Sequence, residues 1–112
     1  MIVEKITPEA RGWIAGDFDE ALIKTDSFEV GVKSGRAGDK EELHYHTSSY
    51  EHTYVIRGTG TVREDEGVPV DIGPGCVITV RPLEVVKWDW AEDWVTLVVR
   101  TPAITNDKRV LI

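Results

Sequence analysis

The chain has 112 residues with 20 acidic and 13 basic side chains, so its formal net charge is −7. This balance argues against a nucleic-acid partner, because binding to phosphate backbones depends on clustered Lys and Arg. The length fits one domain, and no segment approaches the roughly 20 apolar residues that a membrane span needs. We therefore expect neither nucleic-acid binding nor membrane insertion.

The domain organisation and the compartment follow from similarly simple features. The N-terminus lacks the basic stretch and the apolar run of about 7–15 residues that mark a secretory signal. Cys76 is the one cysteine and cannot form an intramolecular disulfide, which is typical of a reducing compartment. We expect a cytoplasmic protein with a single domain over residues 1–112: an N-terminal arm over about 1–25, a barrel over about 26–101 and a tail over 102–112.

Short apolar runs separated by Gly, Pro, Asp and Asn predict an all-β fold. The predicted strands, in chain order, cover residues 28–33, 43–47, 53–57, 61–63, 68–72, 76–80, 85–90 and 94–101. The Gly58-Thr59-Gly60 break predicts a hairpin that pairs the third of these strands with the fourth. Many short strands at spacings near ten residues indicate a sandwich, a jelly roll or a small barrel.

Two histidines and a glutamate lie close together in the sequence, in the pattern His44-x-His46-x4-Glu51. Side chains at i and i+2 of a strand share one face, so both imidazoles should converge, and a carboxylate from an adjacent strand should join them. This donor set suits Fe(II), Mn(II), Ni(II), Co(II) or Zn(II). A lone His-x-His pair is usually a surface feature, but here it belongs to a longer spacing pattern. His52 has the opposite parity and should face away.

The longer pattern is Gly38-x5-His44-x-His46-x4-Glu51-x6-Gly58, which resembles the first sequence motif of the cupin superfamily. The resemblance covers about residues 26–101 and implies a double-stranded β-helix, that is, a jelly-roll barrel. It also implies that the two histidines and the glutamate bind a divalent transition metal such as Zn, Ni, Mn or Fe. Within the superfamily, the chain is similar to small stand-alone cupins without an assigned reaction.

The second cupin motif should supply a further histidine, but no histidine follows His52. The segment 73–82 resembles the start of the second motif. Counting from Gly75 puts Val86 at the histidine position, whereas alignment on Pro82 puts Lys87 there. We favour Lys87, because an inward Lys87 lets the apolar Val86 face the other layer. Lys87 would then act as a base or anchor a substrate, and a lysine extended to the barrel rim is the alternative.

The remaining aromatic residues suggest packing and ligand contact. Trp88 and Trp90 share a strand face and, with Trp94, are expected in the core or in a dimer interface more than against a ligand. Tyr54 is a candidate to hydrogen-bond a ligand. We expect a homodimer, because the Trp-rich strands and the C-terminal Val110-Leu111-Ile112 carry surplus apolar surface.

Three functions remain open at this point. The first is a metal-dependent enzyme of small-molecule or sugar metabolism, with His44, His46 and Glu51 holding the ion. The second is a metal-free sugar isomerase or epimerase that uses the motif histidines as acid and base. The third is a binding module that senses a small molecule without turning it over. One fold hosts many functions, so the fold alone does not choose among them.

Overall fold

A computed structural model describes residues 1–111, in which a short 3-10 helix, Pro8–Ala10, precedes eleven strands. The strands are β1 (Trp13–Gly16), β2 (Ile23–Lys24), β3 (Glu29–Gly35), β4 (Lys40–His46), β5 (Tyr50–Arg57), β6 (Gly60–Glu64), β7 (Val70–Ile72), β8 (Val77–Val80), β9 (Val86–Trp90), β10 (Trp94–Thr101) and β11 (Lys108–Val110). The all-β prediction is therefore confirmed. Within residues 1–111, no helix is long and apolar enough to cross a membrane.

The strands form two sheets that enclose the interior of the molecule. The six-stranded sheet has the order β2-β1-β3-β10-β5-β8, and the five-stranded sheet has the order β11-β4-β9-β6-β7. Apart from the parallel pair of β1 and β2, all the strand pairs are antiparallel. This arrangement is the predicted double-stranded β-helix: from β3 onward the chain alternates between the two sheets, except that β6 and β7 are neighbours in the same sheet.

The hairpin predicted at Gly58-Thr59-Gly60 is wrong, because β5 and β6 belong to different sheets. Gly58 has a φ of +95°, and a Cβ at this position would lie 2.6 Å from the Asp93 carbonyl oxygen. The glycine is thus needed for a close crossing of two chain segments rather than for a tight turn between paired strands. Residue types can predict that the chain turns at this point, but they do not determine which strands pair with each other.

The core fills one part of the interior and contains two of the tryptophans. Its buried members are Val55, Ile72, Val80, Val86, Trp88 and Trp90. The rings of Trp88 and Trp90 stack with centroids 6.0 Å apart, and Trp90 and Trp94 stack at 4.9 Å. The core alternative predicted for the tryptophans is therefore the observed one, and they do not supply apolar surface for a dimer.

The N-terminal arm and the C-terminal segment each contribute strands to the sheets. In the N-terminal arm, β1 pairs with β3, and near the C-terminus β11 pairs with β4 so that Val110 lies opposite His44. Val110 remains 50% exposed and Leu111 remains 45% exposed. Ile112, which we also expected to contribute apolar surface, lies outside the described residues.

Candidate metal centre and central cavity

His44 and His46 lie on the inner face of β4, as their spacing predicts. Each residue is only 1% exposed, whereas Tyr45 between them is partly exposed on the other face. With Glu51 they form a cluster in which one potential ligand atom from each residue lies within 4.8 Å of the others. The structure therefore brings together the three residues that the first motif singles out.

Glu51 joins this cluster from a strand that is not adjacent to β4, contrary to the prediction. We expected an adjacent strand, but β4 and β5 lie in different sheets and face each other across the interior. The connection between them is held by Ser49, whose hydroxyl donates to the Pro102 carbonyl at 2.8 Å. The carboxylate thus approaches the histidines from the opposite wall of the barrel, which makes the cluster a bridge between the two sheets.

The backbone next to His44 sets the orientation of its ring. The register of β4 against β9 shifts between Glu41 and His44, which is a bulge that lets both of these residues point inward. His44 Nδ1 lies 2.8 Å from the Glu42 carbonyl oxygen, which only accepts, so this nitrogen donates. In the neutral ring, Nε2 is then the nitrogen with a free lone pair, and it lies 3.5 Å from Glu41 Oε1.

His46 is the least satisfied polar side chain of the cluster. Its Nε2 lies 3.3 Å from Glu51 Oε2 and its Nδ1 lies 3.9 Å from Asp107 Oδ2, yet neither nitrogen has a hydrogen-bond partner among residues 1–111. Buried polar atoms without partners are rare, because their desolvation is not compensated. A buried imidazole with a free nitrogen beside a second imidazole and a carboxylate fits the requirements of a divalent metal.

Arg100 keeps the Glu51 carboxyl ionised. Burial alone would raise the pKa of Glu51, but the His46 ring and the Arg100 guanidinium outweigh this effect and lower the pKa to about 2. Arg100 Nε donates to Glu51 Oε2 at 2.7 Å, and its Nη1 lies 3.8 Å from Glu29 Oε2. Because β10 lies between β3 and β5, Arg100 is directly opposite Glu29 on one side and Glu51 on the other.

Asp107 supports the cluster from the C-terminal segment, which sequence reasoning treated only as a polar tail. It accepts hydrogen bonds from the Thr47 hydroxyl and from the backbone amides of Ser48 and Ser49. Burial would raise the pKa of Asp107, but these hydrogen bonds outweigh it and lower the pKa. The carboxylate thereby ties the β4–β5 connection to the residue before β11 and lies beside His46.

The prediction that Lys87 occupies the histidine position of the second motif is wrong, because Lys87 does not face the interior of the barrel. Val86 is 4% exposed and lies directly opposite His44 in the β4–β9 pair, whereas Lys87 has the opposite parity and pairs with Arg63. Trp88 and Trp90 determine which face of β9 is turned inward, because both rings are buried on the same face as Val86. Lys87 therefore lies on the outer face of β9 and is not part of the cluster.

Tyr54 is likewise placed away from the site. It is 44% exposed on the outer face of β5, between the inward-facing Thr53 and Val55. Its partners in neighbouring strands are Leu97 and Val77. The Tyr54 side chain thus faces away from the interior of the barrel, and its expected hydrogen bond to a ligand stays a prediction. His52 also faces outward, with Nδ1 2.9 Å from Thr79 Oγ1, as its parity predicts.

A cavity of about 410 Å³, here called the central cavity, adjoins the cluster. Its aromatic lining consists of Trp13, Trp88, Trp90 and Trp94. Its charged lining consists of Arg11, Lys33, Glu41, Glu51, Arg100 and Lys108. The volume lies in the range of small-molecule sites, and the combination of apolar walls with a few charged groups is typical of them. Glu51 belongs to both the cluster and the cavity wall, so a ligand in the cavity lies next to the cluster.

Several residues of this cavity were not predicted. Trp13 comes from the N-terminal arm, and Lys33 and Arg100 come from alternating strands where isolated charges gave no local signal. One signal was present: Gly31 sits in an otherwise regular strand, and a Cβ there would lie 2.6 Å from the Trp13 ring. A glycine inside a strand often marks such a close approach.

Comparisons with known proteins agree with this architecture. The chain is similar to an uncharacterized conserved protein with a double-stranded beta-helix domain from Klebsiella pneumoniae, with a TM-score of 0.70, 18% identity, and coverage of 81% of this chain and 80% of that one. It is similar to DMSP lyase DddQ from Ruegeria pomeroyi, with a TM-score of 0.75, 16% identity, and coverage of 88% of this chain and 49% of that one. It is also similar to ectoine synthase from P. lautus, with a TM-score of 0.72, 17% identity, and coverage of 100% and 91%.

At these identities the likeness to solved structures establishes the fold alone. No curated protein matches the chain. The family of cupin domains matches residues 34–93, which is more than half of the chain and contains all three residues of the cluster. The chain therefore belongs to the cupin domain family.

Proposed function

We propose that the protein binds one divalent transition metal through His44, His46 and Glu51 and holds a small-molecule ligand in the central cavity. The observation that carries this proposal is His46, a fully buried imidazole whose two nitrogens have no hydrogen-bond partner among residues 1–111. A metal would satisfy one of them. A metal-dependent reaction of the ligand is the function that this arrangement supports best.

The chemistry of the three residues supports a metal over a purely structural contact. His44 donates from Nδ1 to a backbone carbonyl, which fixes its ring and leaves Nε2 as the available ligand atom. Glu51 is ionised at neutral pH, because its pKa is about 2. When bound at such a site, a divalent ion polarises a carbonyl or lowers the pKa of a water molecule.

The environment of the cluster supports a role with a ligand. Glu51 lines the central cavity as well as the cluster, and three protein ligands leave coordination positions for other groups. Related barrels include a DMSP lyase and an ectoine synthase, so the fold is compatible with small-molecule enzymes.

Metal titration tests the proposal. The protein is purified without a histidine tag, treated with a chelator, and titrated calorimetrically with Zn(II), Ni(II) and Mn(II), while elemental analysis determines the metal content before the treatment. We expect one ion per chain, and we expect His46→Ala to abolish binding because it removes a ligand. Absence of saturable binding near neutral pH contradicts the proposal and leaves the metal-free acid/base or binding-module alternatives.

His52→Ala is the matched control, since His52 follows Glu51 directly but lies on the outer face. It should retain the wild-type stoichiometry and affinity. Circular dichroism and the Tm of both variants show whether the fold is intact. Equal loss of binding in the two variants would mean that the imidazoles bind metal nonspecifically.

We further propose that the protein is a homodimer whose interface is the outer face of the six-stranded sheet. Val32, Leu97, Tyr54 and Val77 lie side by side across four strands of this sheet. Three of the four are more than 40% exposed. A contiguous apolar patch on a sheet face is typical of a protein interface. This surface replaces the Trp-rich strands as the candidate contact, because the tryptophans are turned inward.

A further inference from the structure

The lining of the central cavity carries a local excess of positive charge in an acidic protein. Four cationic side chains line the cavity, and two of them have carboxylate partners there: Arg100 with Glu51, and Lys108 with Glu41 at 2.5 Å. Arg11 and Lys33 form no ion pair with any acidic residue among residues 1–111. With a net charge of −7 for the chain, this concentration of cations at one place is not a general property of its surface.

The N-terminal arm is built to bring these two cations together. Arg11 ends the short 3-10 helix in the left-handed region, with a φ of 52°. Gly12 follows with a φ of 89°, and a Cβ there would lie 2.1 Å from the Val32 carbonyl oxygen, so only glycine allows the arm to approach β3 this closely. Lys33 Nζ then donates to the Arg11 carbonyl oxygen at 2.7 Å.

Trp13 packs against both Lys33 and the Arg100 guanidinium that pairs with Glu51. Its ring packs over Gly31, with Arg100 Cζ 4.9 Å and Lys33 Nζ 5.0 Å from its centroid. In the register of β3 and β10, Arg100 lies opposite Glu29 and Lys33 lies opposite Thr96, four residues further along β3. Arg100 is therefore paired with the carboxylates next to the cluster, whereas Lys33 lies four residues further along β3 beside Arg11 and has no carboxylate in ion-pair contact among residues 1–111.

The charge state of Lys33 reflects this environment. Burial lowers the pKa of Lys33, and the neighbouring charges of Arg11 and Arg100 lower it further. A group of neighbouring cations attracts an anion, and low-dielectric walls such as the tryptophan rings strengthen the attraction.

We propose that the ligand of the central cavity is a small organic carboxylate, whose anionic group is bound by Lys33 and Arg11 and whose apolar or unsaturated body packs against the tryptophan walls. This inference rests on the proposed function in so far as it names the ligand of that site. The carboxylate binds through charge-assisted hydrogen bonds, for which Lys and Arg are the suitable donors. Trp88 Nε1, a buried donor without a partner among residues 1–111, gives the same cavity a further polar group.

The test uses benzoate and sorbate as probes, with benzamide and benzylamine as neutral and cationic counterparts of benzoate. Binding is followed by quenching of tryptophan fluorescence and by calorimetry, on chelator-treated protein and again after addition of Zn(II). The inference requires saturable binding of a carboxylate probe, weaker binding of benzamide, and no binding of benzylamine. No saturable binding of either carboxylate in both states overturns it, as does equal binding of benzoate and benzamide.

Substitutions locate the anionic group. Lys33→Met removes a charged donor and should weaken benzoate binding about tenfold or more. Arg11→Gln, at an exposed position that tolerates the change, should weaken it in the same direction. Lys24→Met is the matched control, because Lys24 is exposed on β2 and does not line the cavity. If Lys33 only holds the arm in place, Lys33→Met will lower the Tm and leave benzoate affinity unchanged, which overturns the inference.

The same samples separate this inference from the metal proposal. Carboxylate binding in the chelator-treated protein is independent of the metal, so it supports the inference even if no metal binds. Normal binding of Zn(II) together with no carboxylate binding in either state supports the metal centre and overturns the ligand class.

Discussion

Introducing a histidine at Val86 should complete the metal centre. Val86 is 4% exposed and lies directly opposite His44 in the antiparallel β4–β9 pair. Cβ atoms of such opposite residues are about 4.5–5.5 Å apart, so an imidazole at position 86 reaches the region of His44 Nε2. Val86→His should therefore add a fourth protein ligand to His44, His46 and Glu51.

The magnitude follows from two opposing effects. Without metal, the new imidazole replaces an apolar member of the core, and burial of an unsatisfied polar group costs about 1–3 kcal/mol. In a domain of this size each 1 kcal/mol changes the Tm by about 4 °C, so the metal-free variant should lose roughly 4–12 °C. Loss of a residue that only orients a ligand typically costs about 10–100-fold in metal affinity, so a direct ligand should contribute at least about 100-fold, or about 2.7 kcal/mol.

Thermal unfolding and competition with a chelator of known affinity measure the two effects. We expect the Tm of Val86→His to fall in EDTA and to recover in excess Zn(II), with tighter Zn(II) binding than in the wild type. Lys87→His is the matched control, because it places an imidazole one residue further on the outer face and should leave the affinity unchanged. An increase in affinity for Lys87→His alone would refute the assignment of the inner face of β9, and no increase for Val86→His would refute the three-ligand site.

Three further predictions concern other parts of the molecule. Cys76→Ala should leave metal content unchanged, because Cys76 packs against the apolar core and is not part of the cluster; loss of metal on elemental analysis would identify the thiol as a ligand. The Glu51 carboxyl has a folded-state pKa of about 2 against an ordinary value of 4.5. In EDTA it should therefore add about 3 kcal/mol to the free energy of unfolding. This stabilisation is fully present above about pH 4.5 and is lost as the pH falls toward 2. Urea unfolding from pH 5 to pH 2.5 measures this slope, and Glu51→Gln should lack it; identical slopes would show that other groups are responsible. Sedimentation of the wild type should give twice the 12.5 kDa chain mass, and Tyr54→Glu should give the monomer; a wild-type monomer at micromolar concentration would exclude the dimer.

Local periodicity was sufficient to predict the inner face of β4. Because side chains alternate along a strand, the inward direction of His44 and His46 and the outward direction of His52 follow from parity alone. The positions of most strands could be predicted for the same reason. These features depend on residues that are neighbours in the sequence, and the sequence pattern contains them directly.

Pairing between distant strands is not contained in such patterns. Gly58 is a plausible turn residue, but its φ of +95° serves a crossing to the other sheet. The approach of Glu51 from the facing sheet has the same origin, since a three-residue connection between strands permits either a hairpin or a crossing. Which of these forms is decided by the burial of both inner faces, and that depends on the whole fold.

The inner face of β9 follows from the residues of the strand itself. Val86, Trp88 and Trp90 alternate with Lys87 and Asp89, so the face with two tryptophans carries far more apolar surface than the other. Burial of that face outweighs the advantage of placing a lysine at a motif position. Alignment on Pro82 places Lys87 inward, but this would turn both aromatic side chains outward, so the burial of Trp88 and Trp90 decides the orientation of β9.

The net charge of −7 does not show how the charged side chains are distributed around the central cavity. Beside the cluster, Glu29, Glu41 and Glu51 exceed the two cations paired with them, so this end keeps the negative charge that attracts a divalent ion. Arg11 and Lys33 line the same cavity and form no ion pair among residues 1–111. If all four cations lay beside Glu51, they would repel the metal, and if none were present, an anionic ligand would meet only carboxylates. Under the two proposals a divalent cation at the cluster and an anion at Lys33 and Arg11 share one cavity, and the N-terminal arm, which supplies Arg11 and Trp13 to the cavity wall, is part of the proposed ligand site.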